Sequence, residues 1–256
     1  MLASALVFPL PPRVPAPRIF CDVTLGPGAQ FALAADAAQH VGKALRLKAG
    51  DAIVVFDGRG GEYGATLTRV DRDRVDVKVG AHVEVERESV LTLGLVQGLP
   101  EADKMDWIVQ KAVELGVSWI QPVVCDRSVV RLPPERAAKR EAHWRRVAIA
   151  ACEQCGRDRL PELRSTASFV QWLATREISP GWVLAPGAPG LATRARPAGP
   201  IELLVGPEGG LTESELSLAL SRGFEAVGLG PRILRTETAP LAALAAIHAR
   251  WGDYSQ

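Results

Sequence analysis

The sequence predicts an α/β chain, in which a small strand-rich part precedes a larger domain built on a parallel sheet. Near-continuous apolar runs at residues 90–99, Trp119–Val124, residues 182–185 and Ile201–Val205 read as strands buried on both faces. They alternate with helical periodicities, as the layers of an α/β domain do. Towards the carboxyl end a strand, a loop and a helix follow one another twice, and each loop carries residues unusual for a plain connection.

Length and composition bound the reading first. At 256 residues the chain suffices for one or two domains with a substantial core. A formal net charge of +1 argues against a uniformly basic nucleic-acid coat, so RNA binding must come from local patches. Four cysteines without a secretory signal fit a reducing, cytoplasmic compartment. Residues 1–10 are apolar but too short to span a bilayer, and no membrane association is expected. Residues 1–17 read as a flexible proline-rich tail.

Residues 18–88 form the first domain. Ala52–Phe56 and residues 63–70 and 74–79 are short runs of β-formers separated by Asp- and Gly-rich turns, and Val75, Val77 and Val79 alternate with polar residues. Their spacing suggests a small barrel. One short helix is predicted over residues 36–45. Arg18, His40, Lys43 and Arg46 are either an ordinary solvated face or a binding surface.

Residues 89–256 form the second domain. After the strand at 90–99, a helix runs from Lys104 to Leu115 with Met105, Ile108, Val109 and Ala112 at helical spacing, and Gly116 stops it. A helical stretch follows from Arg136, and residues 127–164 hold ten Lys or Arg against five Asp or Glu. Cys152 and Cys155 form a Cys-x-x-Cys pair, but the second half of a zinc or redox signature is missing, so they read as structural thiols and no metal is expected. Pro186 follows the strand at 182–185, which by position makes a third wall of the ligand site. Residues 187–200 read as a surface loop. The last helix, Ala239–Trp251, is apolar around most of its circumference and needs cover from this subunit or a second copy.

The two carboxyl-terminal loops carry the chemistry. The first, Gly206-Pro207-Glu208-Gly209-Gly210, follows Ile201–Val205, and Thr212 with Glu215 makes a capping box for the next helix. Glycines let the backbone come close to a bound molecule. Glu208 with no lysine after it would leave a di- or triphosphate facing an unscreened carboxylate, so the loop suits a neutral or cationic ligand, or is simply a tight turn with an exposed glutamate. The second loop, residues 230–237, follows a strand at 226–229 and puts apolar Ile233 and Leu234 between Arg232 and Arg235. Glu208 and Glu237 are candidate partners for those guanidiniums, and Thr238 is a candidate cap for the last helix. Ligands of open α/β sheets bind at the carboxyl ends of the strands, which is where both loops lie.

These two loops, with Leu229-Gly230-Pro231-Arg232-Ile233-Leu234-Arg235-Thr236-Glu237-Thr238-Ala239 quoted whole, resemble the carboxyl-terminal signature of the RsmE methyltransferases of the SPOUT superfamily. Three further blocks, at residues 40–51, 104–116 with 127–130, and 153–159, are similar to the same family; Cys155 stands where that family has a serine. The resemblance implies a PUA-like β-barrel followed by a SPOUT trefoil-knot domain, with S-adenosyl-L-methionine as cofactor. It implies methylation of N3 of a uridine (uracil 1498) in 16S rRNA, on naked rRNA or the assembled small ribosomal subunit, by a homodimer joined through the knot and last helix.

It also implies the site residues. Arg235, Arg232 and Glu208 are expected to be catalytic, an arginine stabilising the uracil anion, with Glu208 and Glu237 the candidates for the base. Cofactor contacts are expected from Pro186, Gly206, Pro207, Glu208, Gly209, Gly210, Leu229, Gly230, Ile233 and Leu234. RNA contacts are expected from Arg18, His40, Lys43, Arg46, Lys104, Lys111, Arg127, Gln154 and Arg157, the last two being alternatively interdomain contacts. The competing readings are a SPOUT methyltransferase acting on another RNA base and a non-catalytic RNA-binding protein with a vestigial pocket.

Overall fold

The computed structural model describes residues 16–101, 103–130, 133–177 and 180–255, so nearly all of the proline-rich head lies outside the described residues. The chain divides into two compact units, Met1–Val85 and Glu86–Gln256.

In the first unit, β1 (Arg18–Phe20), β2 (Gln30–Ala32), β3 (Ala52–Phe56), β4 (Glu62–Val70) and β5 (Val75–Val83) make one sheet in the order β1-β3-β4-β5-β2. All pairs are antiparallel except β1 with β3. Period-two alternation does what it predicts: Val75, Val77 and Val79 are buried with Ile19, Val41, Ile53, Val55 and Leu67, while Lys78 is exposed. The single helix expected at 36–45 is instead α1 (Ala35–Gln39) continued by a π-turn at His40–Ala44. Gly42 is a poor helix former, and the segment ends where Arg46 takes a φ of 55°. His40, Lys43 and Arg46 are exposed. Arg18 is partly buried: it is ion-paired with Glu62 and lies 4.8 Å over the Phe56 ring.

The second unit carries β6 (Leu93–Gly98), α2 (Lys104–Glu114), β7 (Trp119–Val124), α3 (Pro134–Cys155), β8 (Glu162–Leu163), β9 (Ala167–Ser168), α4 (Phe169–Thr175), β10 (Gly181–Leu184), β11 (Ile201–Val205), α5 (Glu213–Ser221), β12 (Phe224–Val227) and α6 (Ala239–Trp251). The sheet is parallel throughout, in the order β12-β10-β11-β6-β7-β8, with β9 also on β7. All six residues of β6 are buried, as a strand covered on both faces requires. Residues 90–92, expected to extend it, precede the pairing. β11 and β12 do not pair with each other, because β10 inserts between them.

The helices cover the sheet with apolar stripes. On α2, Met105, Ile108, Val109, Ala112 and Val113 are buried, and Gly116, at φ 75°, closes its carboxyl end. On α3 the stripe is Trp144, Ala148, Ala151 and Cys152. Cys152 and Cys155 both lie on that helix, and no group of three potential metal ligands occurs among the described residues. On α6, Pro240, Ala243, Leu244, Ile247 and His248 face the core, while Ala246 and Ala249 are exposed. Thr238 precedes α6 without the expected side-chain cap; the Arg235 carbonyl accepts from the Thr238 and Ala239 amides instead.

Arg157, expected at RNA or between the domains, is 5 % exposed, donates to the Val113 and Val117 carbonyls at 2.9 Å, and pairs with Glu88. A guanidinium so engaged joins β6's approach to the end of α2 inside one unit. Arg157→Ala removes a donor from both carbonyls and leaves the part-buried Glu88 carboxylate without its guanidinium, so denaturant unfolding should show a loss of about 3 kcal/mol. A loss well under 1 kcal/mol would mean that the ion pair holds nothing.

Candidate active site

The site lies at the carboxyl ends of β10, β11 and β12, where the sheet predicts it. A cavity of about 610 Å³, within the ordinary range for a small-molecule site, is lined by three loops and by Lys104 and Arg127. Residues 206–210 form one wall, residues 229–237 except Pro231 a second, and Val183 to Pro186 the wall between them. Every residue expected to touch the cofactor borders this cavity, as do Arg232 and Arg235.

Two glycines allow the loops to approach. A Cβ on Gly98, the last residue of β6, would stand 2.6 Å from the Pro207 ring, so that strand end must be bare for the first loop to cross it. A Cβ on Gly228 would stand 2.3 Å from the Ala188 carbonyl oxygen, and Gly190 bridges to Gly228 there. Behind the loops the Gln97 amide donates to the Thr236 hydroxyl at 3.0 Å, and that hydroxyl donates to the Gly206 carbonyl at 2.7 Å. Gln97 is fully buried and Thr236 nearly so.

The first loop is also held from outside. The Thr212–Glu215 capping box is formed, with Glu215 buried and accepting from the Asp126 amide at 2.8 Å. Arg127, expected to reach RNA, donates to the Gly209 carbonyl at 2.9 Å while its residue remains exposed.

The charges differ from the expected pairing. Glu208 accepts from Lys104 Nζ at 2.6 Å and from the Glu101 amide at 3.0 Å, not from Arg232 or Arg235. Its carboxylate is therefore screened by a lysine from another element, α2. Burial pushes the Glu208 carboxyl up, but the hydrogen bonds from Lys104 and Glu101 outweigh it and hold the group below its usual range. Lys104 is raised in turn, chiefly by its bond to Glu208. Arg232 and Arg235 are exposed, and their guanidiniums make no hydrogen bond or ion pair among the described residues. Glu237 has one carboxylate oxygen buried without a partner among the described residues. Ile233, on the rim, is 83 % exposed.

The other expected RNA contacts stand apart from this cavity. Lys111 pairs with Glu114 at 2.8 Å and lies over Trp107, and Gln154 is exposed on α3. His40, Lys43 and Arg46 belong to the first unit. Sequence reasoning missed Lys104 as the partner of Glu208; its position at the start of α2, the helix after β6, was the available signal.

A parallel sheet with its ligand cavity at the carboxyl strand ends, in a chain that opens with a separate β unit, defines a two-part α/β class, and family models name both parts. Residues 87–248 match an RNA methyltransferase domain and residues 33–80 an RNA methyltransferase PUA domain. The chain belongs to the ribosomal RNA small subunit methyltransferase E family, with the SPOUT-type α/β fold. The Bacillus subtilis ribosomal RNA small subunit methyltransferase E is 35% identical over 227 residues, 85% of this chain and 89% of that one. The Neisseria gonorrhoeae enzyme of the same name, solved bound to S-adenosyl methionine, has a TM-score of 0.89 and 39% identity over 93% of this chain and 99% of its own. A Legionella pneumophila protein described as a methyltransferase, solved with the cofactor SAM, has a TM-score of 0.90 and 35% identity over 94% of this chain and all of its own.

Replacing Lys104 tests the charge arrangement. In Lys104→Gln, Glu208 should titrate higher than in the parent, towards the ordinary 4.5, in carboxyl NMR. Because the folded value is lowered, the pair's contribution is present above the ordinary carboxylate value and is lost as pH falls through the lowered one. An unmoved titration would show that Lys104 does not hold the loop.

Proposed function

We propose that this protein transfers the methyl group of S-adenosyl-L-methionine to N3 of a uridine, uracil 1498, in the 16S rRNA of the small ribosomal subunit. The observation that carries this reading is the pair of guanidiniums, Arg232 and Arg235, without partners among the described residues, on a cavity whose other cations, Lys104 and Arg127, are already hydrogen-bonded to Glu208 and to the Gly209 carbonyl. The residues present fit the cofactor. Ile233, too exposed to be left in water without cost, gains cover from an adenosine-sized ligand; burying such a side chain is worth about 1.5–3 kcal/mol. Backbone of residues 206–210 and 229–230 with Pro186 supplies the remaining contacts. The bound cofactor supplies an electrophilic methyl group on a cationic sulfonium.

The protein's own residues then have separate tasks. Methylation at N3 requires the N3 proton to leave and the resulting charge, spread onto the uracil carbonyl oxygens, to be stabilised. Arg235 and Arg232 do this electrostatically, from the rim of the cavity. Glu208 is a weak acceptor for that proton, since Lys104 and the Glu101 amide stabilise its ionised form. Its task is to fix the first loop. Glu237 stays the better-placed carboxylate, because no partner among the described residues claims its buried oxygen.

RNA contacts are assigned to His40, Lys43 and Arg46 on residues 18–88, and to Lys104, Lys111, Arg127 and Gln154 on residues 89–256. The trefoil knot is supported by the chain after β12, which crosses β10 and β11 to bond Gln97 at the end of β6. A homodimer through α6 is supported by its second face, where Ala246 and Ala249 are exposed and Ala242 and Ala245 half-buried. A cytoplasmic location agrees with four free cysteines, and no described helix is long and apolar enough to cross a membrane.

Mass mapping of modified uridines, after incubating protein and S-adenosylmethionine with small subunits or naked rRNA, decides the reaction and its substrate form. Arg235→Ala should bind the cofactor normally in calorimetry yet lose about 10²–10³ in kcat. Undiminished transfer would remove Arg235 from the mechanism.

A further inference from the structure

Trp107 is the one large aromatic side chain of α2, and it faces outward although the helix has a complete apolar stripe without it. It is 51 % exposed. Its neighbours at helical spacing are Lys104, three residues earlier, and Lys111, four residues later. Lys111 Nζ lies 5.1 Å from the Trp107 ring centroid, so part of the indole is covered by a cation and the rest is open. Lys104 borders the ligand cavity. At 1.5 Å rise per residue, the Trp107 backbone stands about 4–5 Å along the helix axis from that of Lys104.

A second basic stripe adjoins the first. His143 Nε2 of α3 is hydrogen-bonded at 2.6 Å to the carboxylate of Asp106, the residue before Trp107, so the two helices meet at this turn. Arg136, Lys139, Arg140 and Arg146 lie within about 60° of His143 around α3, at 3.6 residues per turn. Lys139, Arg136 and Arg146 are exposed. An exposed indole with a lysine over it, on a helix that meets a second helix carrying four cations on one face, suits one occupant, a single-stranded polyanion with flat rings.

We infer that Trp107 is a stacking platform for an unpaired nucleotide next to the one in the cavity, with α3 tracking the backbone phosphates. This rests on the reading of the cavity as a site for an RNA base. Aromatic stacking needs an unpaired base and carries no counterion release, whereas the α3 contacts are electrostatic. The two therefore separate experimentally.

The experiment compares the full-length protein with Trp107→Ala, Trp107→Phe and Lys139→Gln, using a dye-labelled single-stranded uridine-rich RNA and its duplex as probes. Trp107→Ala should weaken single-strand binding roughly five- to hundredfold with an unchanged salt slope and unchanged cofactor binding. Trp107→Phe should restore most of the affinity, and duplex binding should not move. Lys139→Gln should reduce the salt slope by about 0.7. Equal single-strand affinity in Trp107→Ala, equal losses for single strand and duplex, or an altered molecular mass with unaltered RNA affinity each overturns the platform, the last by making Trp107 a protein contact. An unchanged slope in Lys139→Gln overturns the phosphate track. Methyl transfer by the unaltered protein is read separately, so the failure of the enzymatic reading cannot be mistaken for failure of the platform.

Discussion

The hydroxyl of Thr236 holds the site together. It accepts from the buried Gln97 amide and donates to the Gly206 carbonyl, and so links the end of β6, the loop after β11 and the loop after β12. Because Gln97 and Thr236 are nearly solvent-free, losing one partner strands the other at a cost of about 1–3 kcal/mol. The same chain of bonds fixes where Arg232, Ile233, Leu234 and Arg235 stand, since they lie within four residues of Thr236.

Around that fixed frame the cavity carries four cationic side chains, Lys104, Arg127, Arg232 and Arg235, against two carboxylates, Glu208 and Glu237. The excess is not evenly available. Lys104 is committed to Glu208, and Arg127 spends a donor on the Gly209 carbonyl. The two arginines of the second loop make no such bond among the described residues, whereas the first loop presents a locally neutral surface. On the proposed reading a cationic donor and an anionic acceptor would meet different walls.

Strands were the most legible part of the sequence. Ile201–Val205 and Trp119–Val124 are found with the bounds their apolar runs suggest, because a parallel strand covered on both faces has no polar alternation to blur its ends. Strand order was not legible: nothing in residues 182–185 says that β10 lies between β11 and β12. Side-chain partners across long sequence separations were equally hidden, as with Lys104 and Glu208. The partners of Arg157 and Arg18 were hidden in the same way, since a guanidinium that closes a buried network looks the same in a sequence as one that waits for phosphate. The residues bordering the cavity were legible because they are contiguous in two loops, whose backbone demands, rather than their pairing, set the pattern.

The first loop is ill-suited to a phosphate for a reason other than the one its sequence suggests. Sequence offered an unscreened Glu208; the structure supplies a lysine after all, which by itself would bring the loop closer to a phosphate-binding one. Two features prevent this. Lys104 is hydrogen-bonded to Glu208, so the pair adds no net charge. More decisively, the start of α5, where backbone amides and the helix dipole would hold an anion, is already filled by the protein's own carboxylate: Glu215 closes the capping box, binds the Asp126 amide and is 3 % exposed. A phosphate arriving there would have to displace a buried, hydrogen-bonded anion that is covalently tethered in place. The glycine-rich loop therefore keeps its close backbone approach while its helix has lost the anion site that usually accompanies one, and what remains is a cradle for a ligand that brings no phosphate.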